Sequence, residues 1–139
     1  MEKKRVFIDT NIPIYASGKD SPFKELSIKI LKDIAIGKIF GFTSVEVLQE
    51  ILYRFYEINI PEKGLMLFDE FSNIVDEILP VNYKIIQKAR EILEKTSGLN
   101  TRDAVHVATI EYYDIEYIAT FDKHFSNLKN IRNYIRIPA

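Results

Sequence analysis

The sequence predicts an α/β fold: a three-layer α/β/α sandwich with a central parallel sheet of about four to five strands. Two observations lead there. Short β-like apolar runs alternate along the chain with longer stretches of helical period, and strand–helix alternation implies a parallel sheet covered on both faces. The chain has 139 residues, 47% of them hydrophobic, enough for one domain with a buried core of its own.

The first β-like run is Arg5–Ile8, in "RVFIDTNIPIY". Ser21-Pro22 then reads as N-cap and first helical residue, with Phe23, Leu26, Ile30, Leu31 and Ile34 on one face and Gly37 as the stop. The second run is Ile39–Phe42. Thr43 opens the next helix in a capping-box pattern with Glu46, and Val47, Leu48, Ile51, Leu52 and Phe55 form its apolar stripe. A third helix spans about Pro61 to Ile74; its Leu65, Phe68 and Phe71 are expected at a helix–helix or partner contact. Ile78–Val81 is the third run. A helix from Asn82 carries Ile85, Ile86, Ala89, Ile92 and Leu93 and ends before Gly98. Another begins at Asn100 or Thr101 and carries Ala104, Val105, Val107, Ala108 and Ile110. Tyr117–Thr120 is the fourth run, and Tyr134–Ile137 the fifth and weakest. No repeat, low-complexity segment or Gly/Ser linker divides these elements, so residues 1–139 are expected to form a single domain.

Composition narrows the chemistry. The chain has no cysteine, which excludes disulfides, thiolate nucleophiles and cysteine-based zinc sites. Lys3, Lys4 and Arg5 are not followed by a long apolar stretch, and no run approaches the ~20 residues of a membrane span. The expectation is a cytoplasmic protein with no membrane partner. A net charge of −1 gives no overall basic field for nucleic acid. Beyond Asp122, however, acids cease while Lys123, His124, Lys129, Arg132 and Arg136 accumulate. That tail reads as solvated surface, or as a local phosphate-facing patch.

In parallel α/β sheets ligands bind outside the carboxyl ends of the strands. Asp9 follows the first strand and Asp122 the fourth, in "IATFDKHF"; Glu50 and Asp103 lie on helices that reach the same edge. Singly, each has a structural role available: turn, cap, flank or helix-dipole partner. Glu46 has the capping box, which leaves Glu50 as the ligand candidate on that helix. Like charges held within a few ångströms cannot all remain ionised without a counter-ion. Mg²⁺ or Mn²⁺ supplies one through oxygen ligands, and such ions activate water and neutralise phosphate charge. The cluster therefore points to metal-assisted phosphodiester hydrolysis.

"FIDTN", the Glu50 helix after "FTS", "RDAVHVAT" and "IATFDKHF", in that order and spacing, resemble a PIN domain, more narrowly the compact VapC-type ribonuclease toxins of toxin–antitoxin pairs. The resemblance covers essentially the whole chain. It implies that Asp9, Glu50, Asp103 and Asp122 form the acidic Mg²⁺/Mn²⁺ pocket, that single-stranded RNA is the substrate, that the protein is a homodimer, and that a cognate antitoxin inhibits it. PIN nucleases of RNA processing or decay, without an antitoxin, are the alternative within the family.

Around the acids, Asn11 is expected either to bond Asp9 or a metal-held water, or to cap a turn. Thr120, two residues before Asp122, would point to the same side of the strand and orient a site carboxylate. Arg102 and Lys123 flank two of the acids as possible substrate-phosphate contacts. His106 lies three residues after Asp103 between apolar neighbours and is expected to be a packed, hydrogen-bonded histidine rather than a ligand. Two other classes are open to a cluster of acids at a sheet edge. A phosphomonoesterase would want an acid two residues after its nucleophilic Asp, where this chain has Asn11. A non-catalytic RNA-binding or signalling module is the other; of these, a receiver would place its phospho-accepting Asp after the third strand, where this chain has "LPVN".

Overall fold

Residues 3–135 are described by a computed structural model. The chain runs β1 (Arg5–Ile8), α1 (Asn11–Ala16), α2 (Pro22–Ala35), β2 (Phe40–Ser44), α3 (Val45–Glu57), α4 (Pro61–Ile74), β3 (Glu77–Leu79), α5 (Tyr83–Lys95), α6 (Thr101–Tyr112), β4 (Tyr117–Ala119), a 3₁₀ turn (Lys123–Phe125) and β5 (Arg132–Asn133). The five strands form one parallel sheet in the order β3-β2-β1-β4-β5. Helices flank it, giving the three-layer arrangement that the alternation predicts.

β1 is the central strand, and this explains its composition. Val6, Phe7 and Ile8 are fully buried, so beyond the exposed Arg5 at its start neither face has a polar residue. Phe7 is level with Phe42 of β2 and Ile118 of β4. The main core spreads from these strands to α1, α2, α3 and α4, while Ile85, Ala89, Ala104, Val105 and Ala108 make a smaller cluster between α5 and α6. The chain leaves β1 toward β2 on one side and returns to β4 on the other. The crevice at the carboxyl ends of β1 and β4 is thus the topological switch point, where such sheets bind ligands.

Ser21, Asn82 and Asn100 cap α2, α5 and α6 by accepting bonds from the amides of Lys24, Ile85 and Asp103. Gly37 follows α2 in the left-handed region at φ +78°. The start of α3 differs from expectation. β2 continues through Thr43, whose hydroxyl donates to the Ile8 carbonyl at 3.1 Å and cannot cap a helix. Ser44 is the cap, accepting from the Val47 amide. The residue three beyond it is Val47, so the capping box with Glu46 does not form. α1 and the 3₁₀ turn are additions too short to leave a periodic signature. In α4, Phe71 lies in the core and Phe68 packs against it, leaving only Leu65 of the expected contact trio exposed. The fifth strand is two residues earlier than expected; positions 136–139, with Arg136 and the end of the expected strand, lie outside the described residues. Among the described residues no helix is long and apolar enough to cross a membrane.

The α3–α4 hairpin closes at Gly64, where a Cβ would sit 2.8 Å from the Cβ of Phe55. A Cβ is fixed to the backbone, so the helices themselves would have to separate. Gly64→Ala gains up to ~1 kcal/mol of helix propensity, yet overpacking costs about 1–3 kcal/mol. The expected outcome is a lower urea midpoint; a raised midpoint would show that the hairpin has slack at this contact.

Candidate active site

The crevice is built outward from Asp9. Its amide continues the sheet ladder by donating to the Ala119 carbonyl at 3.1 Å, which fixes the residue at the end of β1. Its carboxylate is buried. One oxygen accepts from the Thr10 amide at 2.8 Å, and the other accepts from the Thr120 hydroxyl at 2.6 Å and Asn11 Nδ2 at 3.3 Å. Burial pushes the Asp9 pKa above the ordinary carboxylate value, against the opposing effects of His106, Thr120 and Thr10, with Glu50 adding to the rise.

Thr120 joins three parts of the site. Its hydroxyl donates to Asp9 and accepts from Asn11 Nδ2 at 3.2 Å and from the Asp122 amide at 3.0 Å. One donor and two lone pairs are all that a hydroxyl has. Asn133 of β5 holds the same residue by its backbone, donating to the Thr120 carbonyl at 2.9 Å and accepting from its amide at 3.4 Å. Asn11 Oδ1 accepts from the Phe121 amide at 3.4 Å. Asn11 is therefore bonded to Asp9 and at the same time ties α1 to the segment after β4.

Glu50 comes in from α3. One of its oxygens accepts from the Thr10 hydroxyl at 2.9 Å, and the other lies 2.9 Å from His106 Nε2, which also stands 3.8 Å from Asp9. Desolvation opposes the Glu50 charge, but the His106 hydrogen bond and charge, Thr10 and Arg102 outweigh it and hold the carboxyl below its ordinary pKa. Desolvation likewise opposes protonation of His106, only 2% exposed, and its carboxylate neighbours outweigh that and raise its pKa. His106 is packed and hydrogen-bonded, as its apolar neighbours predict, and it also forms part of the pocket wall.

Asp103 and Asp122 form the other half. Asn100 accepts from the Asp103 amide at 2.8 Å and fixes the first turn of α6 beneath the site. Asp122 caps the 3₁₀ turn, its Oδ1 accepting from the His124 amide at 2.9 Å. His124 Nδ1 lies 3.1 Å from both Asp103 Oδ2 and Asp122 Oδ1. Asp9, Glu50, Asp103 and Asp122 all line one pocket of ≈ 100 Å³, with Thr10, Asn11, His106 and Asn100 completing its walls and Arg54 and Arg102 beside them. A larger cavity of ≈ 210 Å³ lies between α1, α2 and α4, but it is apolar apart from Glu70 and Ser17 and carries no comparable chemistry. Four carboxylates share the pocket with one buried imidazole and two arginines, and an all-oxygen set of this kind fits a hard divalent cation.

A family model for the PIN domain matches residues 6–131. The chain belongs to the PIN-domain family. It is 33% identical over 127 residues to ribonuclease VapC13 of Mycobacterium tuberculosis, covering 91% of this chain and 97% of that protein. Two solved structures share the PIN fold with it. One is VapC20 of Mycobacterium tuberculosis, a sarcin–ricin loop cleaving toxin (TM-score 0.72, 18% identity, 87% of this chain and 92% of that one). The other is a toxin–antitoxin complex from Klebsiella pneumoniae (TM-score 0.67, 16% identity, 95% and 99%).

Within this PIN domain the four acids, Asn11, Thr120 and Arg102 come together as the sequence suggests. Lys123 is exposed and does not line the pocket. The sequence reading overlooked Arg54, although its position four residues after Glu50 puts it on the same helical face. It also missed the bond from His106 to Glu50, which joins residues 56 apart, and the role of Asn133, for which no local signal exists.

Thr120→Val keeps the shape of the side chain and removes its hydroxyl. Asp9, Asn11 and the Asp122 amide each lose a partner, and one unsatisfied buried group costs about 1–3 kcal/mol. Urea unfolding should show a loss of about 2–4 kcal/mol, with most of it restored in Thr120→Ser. A valine variant as stable as the wild type would remove Thr120 from the centre of this network.

Proposed function

We propose that this PIN-domain protein is a Mg²⁺- or Mn²⁺-dependent ribonuclease that hydrolyses phosphodiester bonds of single-stranded RNA, and that it is the toxin of a toxin–antitoxin pair. The observation that carries this reading is the convergence of Asp9, Glu50, Asp103 and Asp122 on one pocket at the switch point of the sheet. The similarity to ribonuclease VapC13 supports the same chemistry.

Asp9, Asp103 and Asp122 would hold the ion, with Glu50 as a further oxygen donor. When bound, the ion supplies water activation and neutralises charge on the phosphate in transit. The chain's own groups do the positioning. Thr120, Asn11 and the Thr10 amide hold the Asp9 carboxylate in one orientation. His106 and Thr10 do the same for Glu50, and His106 keeps it ionised, so that its remaining lone pairs can orient the attacking water. Arg54 and Arg102 stand where phosphates of the strand would pass, and hold the RNA by charge. A homodimer and an antitoxin complete the proposal; the antitoxin is supported by the toxin–antitoxin complex that shares the fold.

RNA cleavage by purified, antitoxin-free protein should require added Mn²⁺ or Mg²⁺ and stop with EDTA. Asp9→Asn and Asp103→Asn should each lower the rate by ~100-fold or more. Equal cleavage by wild type and Asp9→Asn would show this site assignment to be wrong.

Binding can be measured separately in an Asp9→Asn background, where the strand stays intact. Each single-strand phosphate contact contributes about 0.7 to the slope of log K against log salt. Arg54→Gln and Arg102→Gln should each flatten that slope by about this amount; unchanged slopes would place the RNA path elsewhere.

A further inference from the structure

We propose that His124 is itself a metal ligand, and that its nitrogen tilts the site toward a transition ion such as Mn²⁺ over Mg²⁺. The inference rests on the metal-dependent reading above and adds a donor that a purely acidic set lacks. His124 Nδ1 lies 3.1 Å from Asp103 Oδ2 and 3.1 Å from Asp122 Oδ1, and the donor atoms of the three residues all lie within 4.8 Å of one another. Two ligands at right angles around an ion, each bonded at about 2.1 Å, are separated by about 3 Å. The two separations from the imidazole match neighbouring corners of an octahedron, so one ion could bond His124 together with Asp103 or Asp122.

The surrounding structure fixes the backbone from which the imidazole projects. Asp122 caps the turn through the His124 amide at 2.9 Å, the Ser126 amide donates to the Lys123 carbonyl at 3.1 Å, and Phe125 anchors the turn in the core. The His124 side chain is 55% exposed, which leaves room for an ion that keeps some of its waters. His106 is a different case, because it is almost fully buried and leaves no room for an ion with its waters. Both ions favour oxygen ligands, but Mn²⁺, a d-block ion, accepts an imidazole nitrogen more readily than the harder Mg²⁺, which gives up its waters reluctantly. Adding one nitrogen to an oxygen set therefore raises affinity for Mn²⁺ more than for Mg²⁺.

The test uses the full chain, with any purification tag removed, stripped with EDTA and loaded with Mn²⁺ alone. Pulsed electron paramagnetic resonance should show coupling of the ion to an imidazole ¹⁴N in the wild type, and the coupling should vanish in His124→Gln. Calorimetric titration should show Mn²⁺ binding weakened by ~10-fold or more in that variant, with a smaller change for Mg²⁺. Bound Mn²⁺ without nitrogen coupling in the wild type, or coupling that persists in His124→Gln, would overturn the assignment of His124 while leaving the metal-dependent reading in place. No Mn²⁺ binding at all would overturn both.

Discussion

The structure depends first on a carboxylate buried at the end of its central strand. β1 lies between β2 and β4 with apolar side chains on both faces, so the first polar side chain after it emerges in a place with little water. An ionised group there is costly unless its oxygens are satisfied. Thr10, Asn11 and Thr120 satisfy those of Asp9, and each of these residues then has a second task. Thr10 turns to Glu50, Asn11 to the Phe121 amide, and Thr120 to the Asp122 amide. Meeting the needs of one buried charge thus positions two further acids.

The two halves of the pocket handle charge differently. Asp9 and Glu50 both face the buried His106, whose Nε2 lies 2.9 Å from Glu50 and 3.8 Å from Asp9. Asp103, as buried as Asp9, and the partly exposed Asp122 both face the half-exposed His124. The first half is held by fixed hydrogen bonds to Thr10, to Asn11 of α1, to Thr120 just after β4 and to His106 of α6. The second includes a histidine whose ring is free to exchange a hydrogen bond for a bond to a metal.

Much of this was legible in the sequence, for physical reasons that differ by residue. The alternation of strands and helices gave the parallel sheet, and the rule for carboxyl ends then located Asp9 and Asp122 without knowledge of strand order. Helical phase brought Asp103 to the same edge. The capping box that would set Glu46 apart from Glu50 does not form, because Thr43 remains in β2 to bond the Ile8 carbonyl. Glu50 points into the pocket because it falls on the right face of α3. Contacts between distant segments, such as Asn133 with Thr120 or His106 with Glu50, were not legible, since nothing local marks a side chain whose partner lies on another element. The shifts at β2 and β5 have the same cause: tertiary hydrogen bonds moved the ends of elements by a residue or two.

The clamp between Asn133 and Thr120, together with the bond from Thr120 back to Asp9, closes the site across 111 positions of sequence. Pairings this distant form late in folding, because the intervening chain must be ordered first. On a translating ribosome, a nascent chain that has not yet delivered Thr120 and Asp122 holds Asp9 without its hydroxyl partner and without the facing carboxylate. The order of synthesis therefore delays the assembly of a complete acidic pocket, and the chemistry proposed for it, until nearly all the described chain has emerged.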